Sequence, residues 1–167
     1  MVYFRNPQLN RRVRRLVRDH VHFKEEIFEY AERIIRKFGD FKFSCIHVRR
    51  NEFQFEDVRI PADEIRDNTE GLFKSGEAIC IATDELSKTD EKNGKHVHFD
   101  PLAMTKKHDH TWFEPIISRY GSKNVHFLDE YFEETVKDAP KIWIGCVESV
   151  VCSRSRVFVG TILSTFS

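Results

Sequence analysis

Apolar residues along this chain switch repeatedly between two spacings, and the switches mark its elements. Between residues 8 and 38 they recur every three or four positions: Leu9, Val13, Leu16 and Val17 make one stripe, and Phe23, Ile27, Ile34, Ile35 and Phe38 make another. That is the spacing of helix faces, so this region is expected to be helical, in two pieces. Gly39 and Asp40 interrupt it, and residues 43–48 follow as a short apolar strand. Pro61 opens a helix expected to run to Phe73, with Gly76 as its stop. Residues 78–82 form the second expected strand, ending in Thr83-Asp84-Glu85. From Leu86 to about His110 the chain is polar and lysine-rich with an Asn93-Gly94 turn signal, the pattern of a long surface loop. A short helix over residues 112–120 is closed by Gly121, and residues 125–128 make a third strand. A polar connection with one helical turn leads to Pro140, then an apolar helix over 142–152 and a fourth strand over 156–160.

Short strands alternating with helical patterns predict a parallel sheet built from βαβ units. Each gap between strands is long enough for the crossover that parallel neighbours require. The expected fold is therefore a single α/β domain, a Rossmann-like parallel sheet flanked by helices. Residues 1–40 form an N-terminal helical segment packing on a domain of residues 41–167. The size of the chain, 167 residues with 40% hydrophobic content, suits one such core.

Charge narrows the range of partners. The 27 basic and 27 acidic residues cancel, so no global field draws the molecule to nucleic acid or an anionic membrane. No apolar run approaches the roughly 20 residues of a membrane span. No apolar stretch follows Met1, so no signal peptide is expected in these residues. Cys45, Cys80, Cys146 and Cys152 are scattered without a C-x-x-C pair. Cys45 and Cys80 fall within strands, where cysteine usually packs as a small buried hydrophobe, and on their own they indicate no compartment.

The segment with the most chemistry is Cys45-Ile46-His47-Val48-Arg49-Arg50-Asn51-Glu52-Phe53, at the end of the first strand. Open α/β sheets bind ligands beyond the carboxyl ends of their strands. Arginine matches phosphate oxygens bidentately, so Arg49 and Arg50 point to a phosphorylated ligand such as a nucleoside diphosphate. The alternative is that both pair with surface carboxylates. Two further strand ends carry polar clusters, residues 83–85 and 161–167, and a parallel sheet would project all three clusters from one edge. There the arginines would neutralise phosphate, hydroxyls and main-chain N–H groups would cradle it, and a carboxylate would read the base or ribose. The Ser164-Thr165-Phe166-Ser167 segment has the composition of a helix start, whose N–H groups favour anions.

Three motifs in this order resemble the GDP-fucose protein O-fucosyltransferases, above all the branch that modifies thrombospondin type 1 repeats. They are His47-Val48-Arg49-Arg50-Asn51-Glu52-Phe53, the Ala82-Thr83-Asp84 strand end, and Val147-Glu148 through Val157-Phe158-Val159-Gly160-Thr161 to Ser164-Thr165-Phe166-Ser167. The resemblance covers residues 41–167 apart from the long loop. It implies the C-terminal, donor-binding half of a two-domain GT-B enzyme, truncated at its C-terminus, with the acceptor-facing N-terminal domain missing. On that basis Arg49 matches the essential arginine that contacts the diphosphate and the glycosidic oxygen of GDP-fucose. His47 matches a histidine lining the nucleotide pocket. Arg50 is common in this branch, and Asp84 belongs to the matching strand end that contributes to donor binding. Glu148 stands where the family usually has an aspartate that hydrogen-bonds guanine, with one methylene of extra reach. Ser164, Thr165 and Phe166 match the phosphate-binding segment, and Glu52 replaces a more usual aspartate.

The resemblance further implies inverting transfer of fucose to a serine or threonine of a protein acceptor, in the endoplasmic reticulum or Golgi. The catalytic base of the resembled branch lies in the missing domain, so the isolated fragment is expected to be inactive. No cofactor or metal is expected, because an arginine on the leaving diphosphate takes the place of a divalent ion. A fucosyltransferase acting on a glycan, or an inactive nucleotide-sugar-binding module, are the alternative readings. Elsewhere, His96-x-His98 and His108-x-His110 have the alternation of metal ligands, but the polar loop favours solvated histidines. Arg11-Arg12-x-Arg14-Arg15 is followed by Glu25, Glu26, Glu29 and Glu32 and reads as a solvated helix face rather than a nucleic-acid site. Trp112 and Trp143 are expected to be packing residues.

Overall fold

The structure is a computed structural model and describes residues 6–20, 22–49, 60–83 and 110–161. Four strands, β1 (Phe43–Val48), β2 (Ala78–Thr83), β3 (Val125–Phe127) and β4 (Phe158–Val159), form one sheet in the order β3-β2-β1-β4. Every pairing is parallel, with Cys45 opposite both Cys80 and Phe158. The helices are α1 (Pro7–His20), α2 (Glu25–Phe38), α3 (Ala62–Asn68), α4 (Glu114–Tyr120), α5 (Leu128–Glu134) and α6 (Ile144–Ser153). The expected Rossmann-like α/β architecture is therefore present.

The two faces of the sheet bury separate cores. On one, Phe43 and Cys45 of β1 and Cys80 and Ala82 of β2 pack with α2, α5 and α6. On the other, Ile46 and Val48 of β1 and Ile79 and Ile81 of β2 pack with α3, α4 and Phe113. The central strand β1 is buried along its whole length, so its two polar residues, Ser44 and His47, are enclosed together with its apolar ones. Helix α2 is an integral part of the first core. Its Ile27, Ala31, Ile34 and Ile35 lie on one stripe and are at most 4% exposed. Glu25 and Glu26 in its first turn and Arg36 and Lys37 in its last complement the helix dipole. Gly39, at φ 84°, ends it by donating its N–H to the Ile35 carbonyl. The turn into β1 is then fastened by the Arg154 guanidinium, which grips Asp40 with two hydrogen bonds and lies over the Phe41 ring.

Several boundaries differ from the sequence expectation. The helix opened by Pro61 ends at Asn68 rather than Phe73. The Thr69 hydroxyl there donates within reach of the Ile65 and Arg66 carbonyls, and it meets the Tyr120 hydroxyl at 3.1 Å. Residue 128 is not strand: Leu128 begins α5, a helix of two turns where a single turn was expected. The apolar helix over 142–152 begins instead as a 3-10 turn, Lys141–Trp143, before α6. Strand β4 is only two residues long. Main-chain bonds from Arg156 N to Phe43 O and from Cys45 N to Val157 O nonetheless extend its contact with β1. Trp112 and Trp143 are partly buried and pack on the two cores, as expected. Arg11, Arg12, Arg14 and Arg15 are exposed on α1.

Candidate functional site

All four strands run the same way, so their carboxyl ends share one edge of the sheet. β1 ends there at Val48, β2 at Thr83, β3 at Phe127 and β4 at Val159. This is the edge at which open α/β sheets hold ligands. Of the predicted site residues, His47, Arg49 and Glu148 are described and belong to this end of the molecule. Arg50, Asp84, Ser164, Thr165 and Phe166 lie outside the described residues, as do Glu52, His96, His98 and His108.

His47 is the last residue of β1 on the α2–α6 face and is only 7% exposed. Burial, and then the positive charge of Arg49, lower its pKa to about 4. It is therefore neutral at physiological pH, able to donate and to accept a hydrogen bond. The edge thus carries the Arg49 guanidinium beside an uncharged histidine rather than beside a second cation.

Glu148 reaches the same place from α6, and a disulfide shows how. Cys45 of β1 and Cys152 of α6 are joined across 107 residues of chain, with Cα atoms 5.4 Å apart. From Cys45, two residues along the strand lead to His47, a rise of about 6.6 Å. From Cys152, one helical turn back leads to Glu148, a rise of about 6 Å. Helix α6 leads into the parallel strand β4 and runs back along the sheet, so both steps go towards the carboxyl edge. His47 and Glu148 consequently stand at matching heights above one covalent tie, on one face of the sheet.

The exit of β1 is also tied to β4. The Thr161 hydroxyl accepts a hydrogen bond from the Arg49 N–H at 3.0 Å and donates to the His47 carbonyl at 3.0 Å. The backbone of both predicted pocket residues is thereby held by one side chain.

At the outer strand, His110 departs from the solvated loop expected for it. It begins a 3-10 turn, stacks flat on Phe127 at a centroid distance of 3.5 Å, and meets Asp129 at 3.1 Å and Glu130 at 3.6 Å. Burial raises the Glu130 pKa. His110 is a packed residue locking the start of α5. Among the described residues no group of three or more His, Cys, Asp or Glu side chains is placed to hold a metal ion. Among them, too, no helix is long and apolar enough to cross a membrane.

The opposite, amino edge carries a different cluster. Glu77, just before β2, accepts from the Ser44 hydroxyl at 3.0 Å, the Lys74 N–H at 2.8 Å and two nitrogens of Arg156. Arg156 also donates to the Leu72 carbonyl. Burial acts to raise the Glu77 pKa, but the bonds from Arg156, Lys74 and Ser44 prevail and hold it below the usual value of 4.5.

Three participants were missed as site-forming residues from the sequence. Thr161 appeared only as the start of a polar cluster and as part of the third motif, with no role of its own. The Cys45–Cys152 bond carries no spacing signal, because connectivity among scattered cysteines is not deducible from sequence. The packing of His110 depends on Phe127 and Asp129, which lie 17 and 19 residues away along the chain. Comparison with models of known protein families, with curated proteins and with solved structures gives no match for this chain.

Proposed function

We propose that this chain binds GDP-fucose and is the donor-binding part of an inverting O-fucosyltransferase acting on serine or threonine of a protein. The observation that carries the reading is the grouping at the carboxyl edge. A neutral, buried His47 and a backbone-clamped Arg49 stand over the same disulfide that brings in Glu148. Those three positions are the ones the motif resemblance assigns to the nucleotide pocket, the diphosphate and the guanine.

The chemistry follows from charge. As the bond from fucose to the diphosphate breaks, negative charge grows on the β-phosphate oxygen. A guanidinium held at that oxygen favours the transition state over the ground state. Loss of one such preorganised donor typically costs about 100- to 1000-fold in rate. Arg49 supplies the charge in this reading, and Glu148 accepts from the guanine edge. Arg50, Asp84, Ser164, Thr165 and Phe166 complete the donor site, and no divalent ion is needed on the leaving group. The acceptor protein and the catalytic base belong to the acceptor-facing domain that the resemblance implies. A buried disulfide supports an oxidising setting such as the secretory pathway.

The test is a calorimetric titration of the chain with GDP, GDP-fucose and ADP, repeated with Arg49→Ala and in excess EDTA. GDP and GDP-fucose are expected to bind, ADP much more weakly, with EDTA making no difference. Equal binding of ADP and GDP, or undiminished binding by Arg49→Ala, would sink the donor-site reading.

A further inference from the structure

Thr161 sits where the β1–β4 ladder would continue, and it continues it with the wrong atom. Upstream, Cys45 N–H donates to the Val157 carbonyl at 2.8 Å, and Ile46 pairs with Val159. Parallel ladders repeat, so four residues further the Arg49 N–H would meet the carbonyl of Thr161. It does meet Thr161, but at the side-chain hydroxyl, 3.0 Å away. The same hydroxyl donates to the His47 carbonyl at 3.0 Å, so one Oγ bridges two main-chain groups of β1. A hydroxyl can do both because it offers a donor and acceptor lone pairs, whereas a carbonyl offers only the latter. Residue 161 thus ends the ladder without giving up the bond that fixes Arg49.

We propose that Thr161 is a positioning residue for Arg49, its hydroxyl setting the height and direction at which β1 presents that guanidinium to a diphosphate. The inference rests on the donor-site reading of Arg49. The methyl group of threonine adds to the effect by restricting χ1, so the hydroxyl is already aimed when ligand arrives. Valine keeps the branched shape but can neither donate nor accept, which makes it the sharpest substitution. Serine restores the hydroxyl on a looser rotor.

The experiment measures amide hydrogen exchange at Arg49 by NMR in the ligand-free chain, and GDP affinity by calorimetry, for wild type, Thr161→Val and Thr161→Ser. Thr161→Val is expected to speed exchange at Arg49 by about tenfold, the size of one lost hydrogen bond, while amides in the centre of β1 keep their protection. GDP binding should weaken by a similar factor with valine and recover with serine, while the melting temperature changes little. Unchanged exchange at Arg49 in the valine variant would overturn the clamp. Lost protection with undiminished GDP affinity would overturn its positioning role alone. Absence of GDP binding by the wild type would instead remove the donor-site reading and this inference with it. If the valine variant does not fold, the serine variant decides: its hydroxyl should keep Arg49 protected and GDP affinity close to wild type, and rapid exchange at Arg49 in that variant with full GDP affinity would overturn the positioning role.

Discussion

The two edges of the sheet handle buried charge in opposite ways. At the amino edge, Glu77 keeps its charge because three neighbours donate to it, and Arg156 closes on it with two nitrogens. The charges there are spent on each other, and the cluster is a fastener between β1, β2 and the start of β4. At the carboxyl edge, His47 surrenders its charge to burial and to Arg49. The positions are set by a covalent tie from β1 to α6 and by the Thr161 hydroxyl. An edge built to hold the fold together neutralises itself internally. An edge built to receive an anion fixes its backbone and keeps its histidine uncharged.

The largest expected effect tests the tie beneath the carboxyl edge. Reducing the Cys45–Cys152 bond, or replacing both cysteines by alanine, should cost about 4 kcal/mol, given the long loop it closes. Urea unfolding with and without reductant measures this, and an identical midpoint would show that the bond contributes nothing. The same treatment should weaken GDP binding, since His47 and Glu148 take their relative height from it. Next in size, Glu77→Ala should destabilise by about 3 kcal/mol, because it strands the Ser44 hydroxyl and Arg156 at the amino edge. GDP affinity of the folded variant should be unchanged. A parallel loss of affinity would dissolve the distinction between the edges.

Arg49→Ala should behave in reverse, weakening GDP by roughly 100-fold with little change in melting temperature. A large drop in stability without loss of binding would make Arg49 another fastener. The most gradual effect is on pH dependence, spread over more than two pH units. His47 has a folded pKa of about 4 against an ordinary 6.5, so the unfolded chain takes up a proton that the folded chain refuses. Stability should be full above pH 6.5 and fall as pH drops towards 4, by at most about 1.4 kcal/mol per pH unit. Glu77 adds its own loss only below its ordinary 4.5, where the unfolded chain's carboxyl takes up a proton that the folded one still refuses. Urea midpoints at several pH values separate the two, and His47→Gln should remove the upper slope and keep the lower one.

How much of this was legible beforehand varies with the range of the interaction that decides each feature. Strand β1 was read to the residue, because a short, mostly apolar run between Gly39-Asp40 and an arginine pair has few other uses. Helix α2 was legible from its stripe of Ile27, Ile34 and Ile35. The end of α3 was not, since it depends on a Thr69 hydroxyl that meets Tyr120, 51 residues on. Of the candidate site, His47 and Arg49 stood out through their motif. The neutrality of His47 did not, because desolvation is a property of the packed core rather than of neighbours in sequence. Cys45 was expected to pack as a small hydrophobe. It is fully buried, but its partner Cys152 lies on a helix that only folding brings to β1.

The amino-acid sequence by itself determined the alternation of strands and helices, hence the parallel α/β sheet, and it placed an arginine at the carboxyl end of the central strand. Those features follow from local hydrophobic spacing and from the rule that parallel strands need crossovers. Tertiary structure alone decided which face holds Glu148, which cysteines are joined, where His47 loses its proton affinity, and that Thr161 holds the backbone of Arg49. Each of these depends on groups brought together from more than 100 residues apart, or on burial from water, and neither is written in the local pattern of the chain.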